Sequence, residues 1–225
     1  MNKLKYKELN ISAIAELVVT AEIQGLINLS DQTKKPEFKT LVELCRKSLR
    51  KASPMKYDNR CGKIVFSGVG KNATIATKAS ETFASLGVPS FFLNVCHYAH
   101  GDAGFIGDED VVIHISRSGT TSEILQAALH LKKNRPHIKQ VLVHCNKKFN
   151  VESDGFMFDQ VFFAGEAIEA DEHNLAPTTS TTVLLALTDI LAVILSSDIE
   201  FTRENFLAFH PGGALGAMLA KEQKS

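Results

Sequence analysis

The chain has 225 residues, 44% hydrophobic and 22% charged, and its 25 Lys and Arg balance its 25 Asp and Glu. That length holds one sizeable core, and the even charge, with no basic block, argues against nucleic acid as a partner. No uninterrupted apolar run reaches the ~18 residues of a membrane span, and the start, MNKLKYKELN, lacks the apolar stretch of a secretory signal. The four cysteines, Cys45, Cys61, Cys96 and Cys145, show no CxxC spacing, which argues against a zinc ribbon and suits a reducing cytoplasm.

In chain order, apolar residues at helical spacing (Ile14, Leu17, Val18, Ala21, Leu26) predict a first helix over about residues 9–29. Pro36 suits the first turn of a second helix carrying Phe38, Leu41, Val42, Cys45 and Leu49. From Lys63 the texture changes to strand, loop and helix in alternation. KIVFSGVG reads as a strand ending in a glycine turn, and KNATIATKASETFASLG as a helix stopping at Gly87. VPSFFLNV and DVVIHIS read as strands, with a helix from Thr121 to Lys133; KQVLVHC and FDQVFFAG complete five strands. A long helix follows from about Thr181 to Leu195; Thr188 and Asp189 interrupt its apolar run, so it reads as a buried core helix. The alternation predicts an α/β fold, a doubly wound parallel sheet. If the strands are ordered 2-1-3-4-5, the loops after strands one and three face one crevice at the switch point, where such sheets bind ligands.

Five segments carry chemistry-bearing side chains. GVGKNA offers Gly70 for a sharp turn and Lys71 at a helix start, where a phosphate or an oxyanion meets a cation and free N–H groups. It lacks the full P-loop and GxGxxG patterns, and a tight turn with a surface lysine is the plain alternative. SRSGTTSE puts Ser116, Ser118 and Thr121 at a helix N-terminus; capping needs one hydroxyl residue, and this loop has five, which points to an anion cradle. Glu123 is either a capping-box carboxylate or a crevice residue. CHYAHGDAG places His97 and His100 three apart, a weak metal pattern. In EAIEADEHNLAPTTSTT the carboxylates Glu169, Asp171 and Glu172 read as solvated surface, and Pro177 with Thr178 as a helix start. FHPGGALG isolates His210 beside a glycine-rich turn.

Taken together and in this order, GVGK, AHGDAG, ISRSGTTSEI, LAPTTSTT and FHPGGALG resemble the sugar isomerase (SIS) domain, and within it the arabinose 5-phosphate isomerases of the Kdo pathway. The resemblance implies a single domain over residues 1–225, with residues 1–55 as an N-terminal helical extension and no CBS domains. It implies a five-stranded flavodoxin-like sheet, a cytoplasmic homotetramer with sites shared between subunits, and interconversion of D-arabinose 5-phosphate and D-ribulose 5-phosphate. The family's catalytic lysine, two glutamates and histidine fall on Lys71, Glu123, Glu169 and His210, and its histidine in the AHGD segment on His100. His97 and Thr120 stand where family members often carry carboxylates.

The implied enediol chemistry needs an anchor, a base, an acid and an oxyanion stabiliser, and no required cofactor. The expected roles are phosphate binding by Gly70, Ser116, Ser118, Thr121, Thr178 and Ser180; oxyanion stabilisation by Lys71; orientation by Glu123; and proton transfer by Glu169 and His210, in either order. His97 and His100 are the residues expected to take adventitious or inhibitory zinc. A Kdo-pathway metabolite is the expected inhibitor, and neither nucleic acid nor membrane is an expected partner. The competing expectation is a non-catalytic sugar phosphate-binding SIS module in a regulator, which needs the cradle but not Glu169 or His210.

Overall fold

A computed structural model describes residues 6–50, 52–54 and 61–211. Two helices, α1 (Ile11–Thr33) and α2 (Pro36–Leu49), precede an alternating array: β1 (Ile64–Gly68), α3 (Lys71–Ser85), β2 (Ser90–Asn94), α4 (Val95–Tyr98), β3 (Val111–Ile115), α5 (Ser122–Asn134), β4 (Lys139–His144), α6 (Val151–Asp154), β5 (Gln160–Phe163), α7 (Thr179–Asp198) and α8 (Arg203–Phe209). All strand pairs are parallel, in the order β2-β1-β3-β4-β5. The expected fold class and strand order are the observed ones.

Every residue of β1 and β3 is buried, because helices cover both faces of the sheet. Side chains alternate between the faces. Ile64 and Phe66 join Phe83 of α3 and Leu187 and Leu191 of α7 in one core. Val65, Val112 and Leu142 join Ile124 and Leu131 of α5 in the other. The rings of Phe66 and Phe83 meet edge-on at 4.8 Å, an arrangement worth about 0.5–1.5 kcal/mol beyond burial.

The second core also holds a polar relay. Ser67 Oγ lies 2.7 Å from His114 Nδ1, His114 Nε2 lies 3.1 Å from Gln140 Oε1, and Gln140 Nε2 donates to Ala128 O. Since the amide nitrogen is spent on Ala128, Oε1 accepts from His114 Nε2–H, and Nδ1 accepts from the Ser67 hydroxyl. Burial pushes the His114 imidazole down to about 4, so it sits in the sheet neutral.

The two long helices differ in how they are covered. Helices α1 and α7 are each long and apolar enough to cross a membrane by length and composition. Half of the most apolar stretch of α7 is buried, as a core helix would be, but α1 buries only Gly25 and Leu29 and leaves Val19, Ile23 and Ile27 at least half exposed. α1 also runs one turn beyond the expected end. Gly25 lets it approach α7 closely: a Cβ there would stand 2.7 Å from Thr179 Cγ2.

Candidate active site

The topology brings the two expected loops together. β1 and β3 are hydrogen-bonded neighbours, and Gly68 pairs with Ile115, so Gly70 and Ser116 leave the same edge one or two residues later. β1 is followed on its far side by β2, which makes the β1/β3 boundary the switch point. Gly70 has φ +60 and ψ −128, a backbone shape open to glycine, and turns the chain straight into α3. Lys71 is therefore the first residue of α3, exposed, and its side chain makes no ion pair or hydrogen bond among the described residues.

Neither N-cap residue, Gly70 of α3 or Thr121 of α5, makes a side-chain cap hydrogen bond. Thr121, the N-cap of α5, turns its Oγ1 to Ser116 Oγ at 2.8 Å instead. Ser116 Oγ also accepts Gly119 N–H at 3.0 Å, and Ser118 Oγ accepts Thr120 N–H at 3.1 Å. The loop hydroxyls thus shape the loop that leads into the positive dipole end of α5, and Ser116, expected on the phosphate, is instead buried with its hydroxyl engaged inside the loop. Gly119 holds φ +78 against the ring of Phe149, where an added Cβ would meet Cδ2 at 2.6 Å. Glu123 is exposed in the first turn; a hydrogen bond from its own N–H and one from the Ser122 hydroxyl lower its pKa. It borders a cavity of about 570 Å³ shared with Cys96, Tyr98, Gly101, Gln126 and His130.

Glu169 is not surface. Its side chain has no exposed area, and its carboxylate accepts from Arg117 Nε at 2.6 Å, Thr178 N at 2.8 Å, Ser180 N at 3.1 Å, and the hydroxyls of Thr178 and Ser180. Thr178 and Ser180, expected to contact the phosphate, therefore spend their donors on Glu169, and Ser180 is 1% exposed. The carboxylate caps α7 in place of the N-cap side chain. Asp171 is likewise a loop-building residue, accepting from the N–H groups of His173, Leu175 and Ala176.

His210 lies elsewhere in the chain. Its Nε2 is 2.8 Å from Ser85 Oγ and its Nδ1 2.7 Å from Phe206 O, with the ring stacked on Phe206. Ser85 is the last residue of α3, and Lys71 the first, so the two stand roughly 20 Å apart at 1.5 Å per residue. Within one chain, therefore, His210 and Lys71 lie at opposite ends of α3. Gly212 to Gly216 of the same motif lie outside the described residues. His97 and His100 are exposed; His97 Nδ1 is 3.8 Å from Asp102 Oδ2, and no group of three or more metal-ligating His, Cys, Asp or Glu side chains occurs among the described residues.

Three residues escaped the sequence reading. Arg117 joins the cradle loop to Glu169, Asn174 accepts from Glu169 N and from Arg117, and Asn146 donates to Ser118 O. Asn174 holds φ +56, a left-handed shape that asparagine tolerates.

Fold and crevice together define an open parallel α/β domain of the kind that holds a small anionic ligand at its switch point. The chain belongs to the SIS domain family, whose model matches residues 59–194. It is 41% identical over 161 residues to the arabinose 5-phosphate isomerase KdsD of Yersinia pestis, covering 71% of this chain and 48% of the relative. It is 34% identical over 195 residues to the arabinose 5-phosphate isomerase KpsF of Escherichia coli, covering 87% and 54%. The chain spans about half the length of these curated relatives. Among solved structures, a Bacteroides fragilis protein assigned as a phosphosugar isomerase involved in capsule formation superposes with a TM-score of 0.75 at 31% identity, covering 87% of this chain and 94% of that one. An E. coli CFT073 protein in complex with arabinose 5-phosphate gives 0.72 at 32% identity, covering 90% and 100%.

Proposed function

We propose that this chain is an aldose–ketose isomerase that interconverts D-arabinose 5-phosphate and D-ribulose 5-phosphate in the cytoplasm and supplies Kdo synthesis. The observation that carries the reading is the meeting of the Gly70–Lys71 turn and the Ser116–Thr121 loop at one switch point. Relatives named for this reaction, matched over most of the chain, support it.

The phosphate sits on the α5 N-terminus, where unpaired N–H groups and the hydroxyls of Ser118 and Thr121 receive it. Anchoring the 5-phosphate fixes the reacting carbons at a set reach. A base takes the proton from C2 of the aldose, and the electron pair moves through C1=C2 to leave negative charge on the C1 oxygen. Lys71 steadies that charge; the proton of the C2 hydroxyl passes to the C1 oxygen, and as the C2 carbonyl forms the C1=C2 electron pair takes a proton at C1. No electron leaves the substrate, so no redox cofactor is required; zinc at His97 and His100 would be adventitious.

His210 supplies proton transfer to the crevice of a second copy. Its distance from Lys71 along α3 supports this, as does the exposed apolar face of α1, which suits burial in a homotetramer. A Kdo-pathway metabolite competes at the same crevice. The direct test is conversion of arabinose 5-phosphate by the purified chain. Turnover lost at least ~10²-fold in Lys71→Ala, with the fold intact by circular dichroism, supports the assignment. Binding without turnover in the wild type would mark a sugar phosphate sensor instead.

A further inference from the structure

Glu169 and Arg117 raise a separate question: what does a fully buried carboxylate do beside a phosphate loop? An ionised carboxylate offers about four lone-pair sites. Glu169 fills them with two backbone N–H groups, two hydroxyls and a guanidinium, and its side chain has no exposed area. Taking a proton from carbon would mean breaking this set inside the protein, and releasing a partly buried arginine from its counter-ion is costly. These five donors occupy the carboxylate, and no lone pair is left for a substrate.

The other end of the pair explains what the charge is for. Arg117 stands between Ser116 and Ser118, so its backbone is part of the cradle. Its carbonyl accepts Cys145 N–H at 3.0 Å, tying the loop to the end of β4. Its side chain leaves the loop for Glu169, and its Nη2 reaches Asn174 Oδ1 at 3.4 Å. Glu169, through Thr178 and Ser180, is fastened to the first turn of α7. The chain from loop to helix is continuous: Ser116–Ser118, Arg117, Glu169, α7. The guanidinium is only partly buried, and with Ser118 and the Asn146 to Lys148 segment it lines a cavity of about 340 Å³.

We propose that Arg117 and Glu169 are a positioning pair: Glu169 holds the Arg117 guanidinium, and the pair locks the Ser116–Thr121 loop in the shape that receives the anion. Proton transfer belongs to other groups. For its kinetic readouts this inference rests on the isomerase reading; its structural readout does not.

The test compares wild type with Glu169→Gln, Arg117→Ala, Arg117→Lys and the double variant Glu169→Gln/Arg117→Ala. Arg117 is partly exposed, so its variants keep the question open to measurement even if Glu169→Gln folds poorly. Backbone amide exchange of Gly119 to Ser122 is measured without ligand, and Kd for arabinose 5-phosphate, KM and kcat are measured on the same proteins. The pair predicts faster loop exchange in each single variant to alanine or glutamine, with no further increase in the double. It predicts a rise of about tenfold or more in Kd and KM with kcat within about fivefold, and partial rescue by Arg117→Lys. Unchanged loop exchange in Arg117→Ala overturns the proposal. So does a fall of ~10²-fold or more in kcat for Glu169→Gln at unchanged Kd, with Arg117→Ala near wild type, because that is the signature of a proton carrier. A wild-type chain with no isomerase turnover, but with coupled loop exchange in the variants, sinks the isomerase reading and supports the pair.

Discussion

Ser85 Oγ stands 2.8 Å from His210 Nε2 at the last residue of α3, the helix that Lys71 opens at its other end. One rigid rod therefore separates the two side chains that the motif order groups together. In the free chain the His210 ring is parked: Nδ1 faces the Phe206 carbonyl, Nε2 faces a hydroxyl, and the ring lies on Phe206. On the proposed function, His210 serves the crevice of a neighbouring copy.

Complementation follows from this separation. Lys71→Ala and His210→Ala should each lose at least ~10²-fold in turnover. Mixed and reassembled, the two should regain activity that neither has alone, because some crevices then draw an intact lysine from one copy and an intact histidine from another. Turnover measured on the mixture checks this; no recovery, with mixed oligomers confirmed by mass, would place both residues in one chain's site or remove His210 from the reaction.

The assembly depends on α1 in this account. Ile23 and Ile27 are half exposed on a helix whose opposite face packs on α7. Ile23→Glu with Ile27→Glu should leave the chain folded, since neither side chain is in the core, but shift it to a smaller species in sedimentation. Turnover should fall with the oligomer. An unchanged sedimentation coefficient would mean that this face is not the contact.

The cradle loop has a steric signature. Gly119→Ala adds a Cβ at φ +78 and drives it into the Phe149 ring. The left-handed backbone alone costs about 1–2 kcal/mol, and the displaced loop should weaken arabinose 5-phosphate binding. Adding Phe149→Ala opens the space but not the backbone, so it should recover part of the affinity. Calorimetric titration of the two variants separates these contributions.

Stability should also respond to acid through His114. Its folded-state pKa, about 4, lies below the ordinary value of 6.5, with burial as the main cause and the Gln140 hydrogen bond opposing it. Below pH 6.5 the unfolded chain takes up a proton that the fold refuses. The stability present above pH 6.5 is thus lost as pH falls toward 4, by roughly 3 kcal/mol in all. His144, also lowered to about 4 by burial, adds to the same window. Urea unfolding at pH 7.5 and pH 5 should differ accordingly, and His114→Gln should flatten the difference.

The central elements were legible because their patterns are strong. Short apolar runs bounded by glycine mark the strands, and the order 2-1-3-4-5 sets the loops after β1 and β3 side by side. The one-turn helices α4 and α6 were not legible, since four residues carry no period. The start of α8 did leave a trace, a Thr202–Asn205 capping box that the sequence reading passed over. Site geometry was less readable than site membership. Composition marked Glu169 as solvated, but its loop folds back so that Thr178 and Ser180 close over it. Arg117 stood in plain view inside SRSGTTSE, yet nothing in the string says that its side chain leaves the cradle for a carboxylate 52 residues away. The place of His210 at the far end of α3 was not legible either, because order along a chain carries no information about which end of a helix a later residue packs against.

The most direct measurement is incubation of the purified chain with arabinose 5-phosphate in deuterium oxide, followed by NMR of the recovered sugars. The account predicts ribulose 5-phosphate with deuterium at C1 and recovered arabinose 5-phosphate with deuterium at C2, both lost in Lys71→Ala. Arabinose 5-phosphate returned unconverted, with every carbon-bound hydrogen in place, would contradict it.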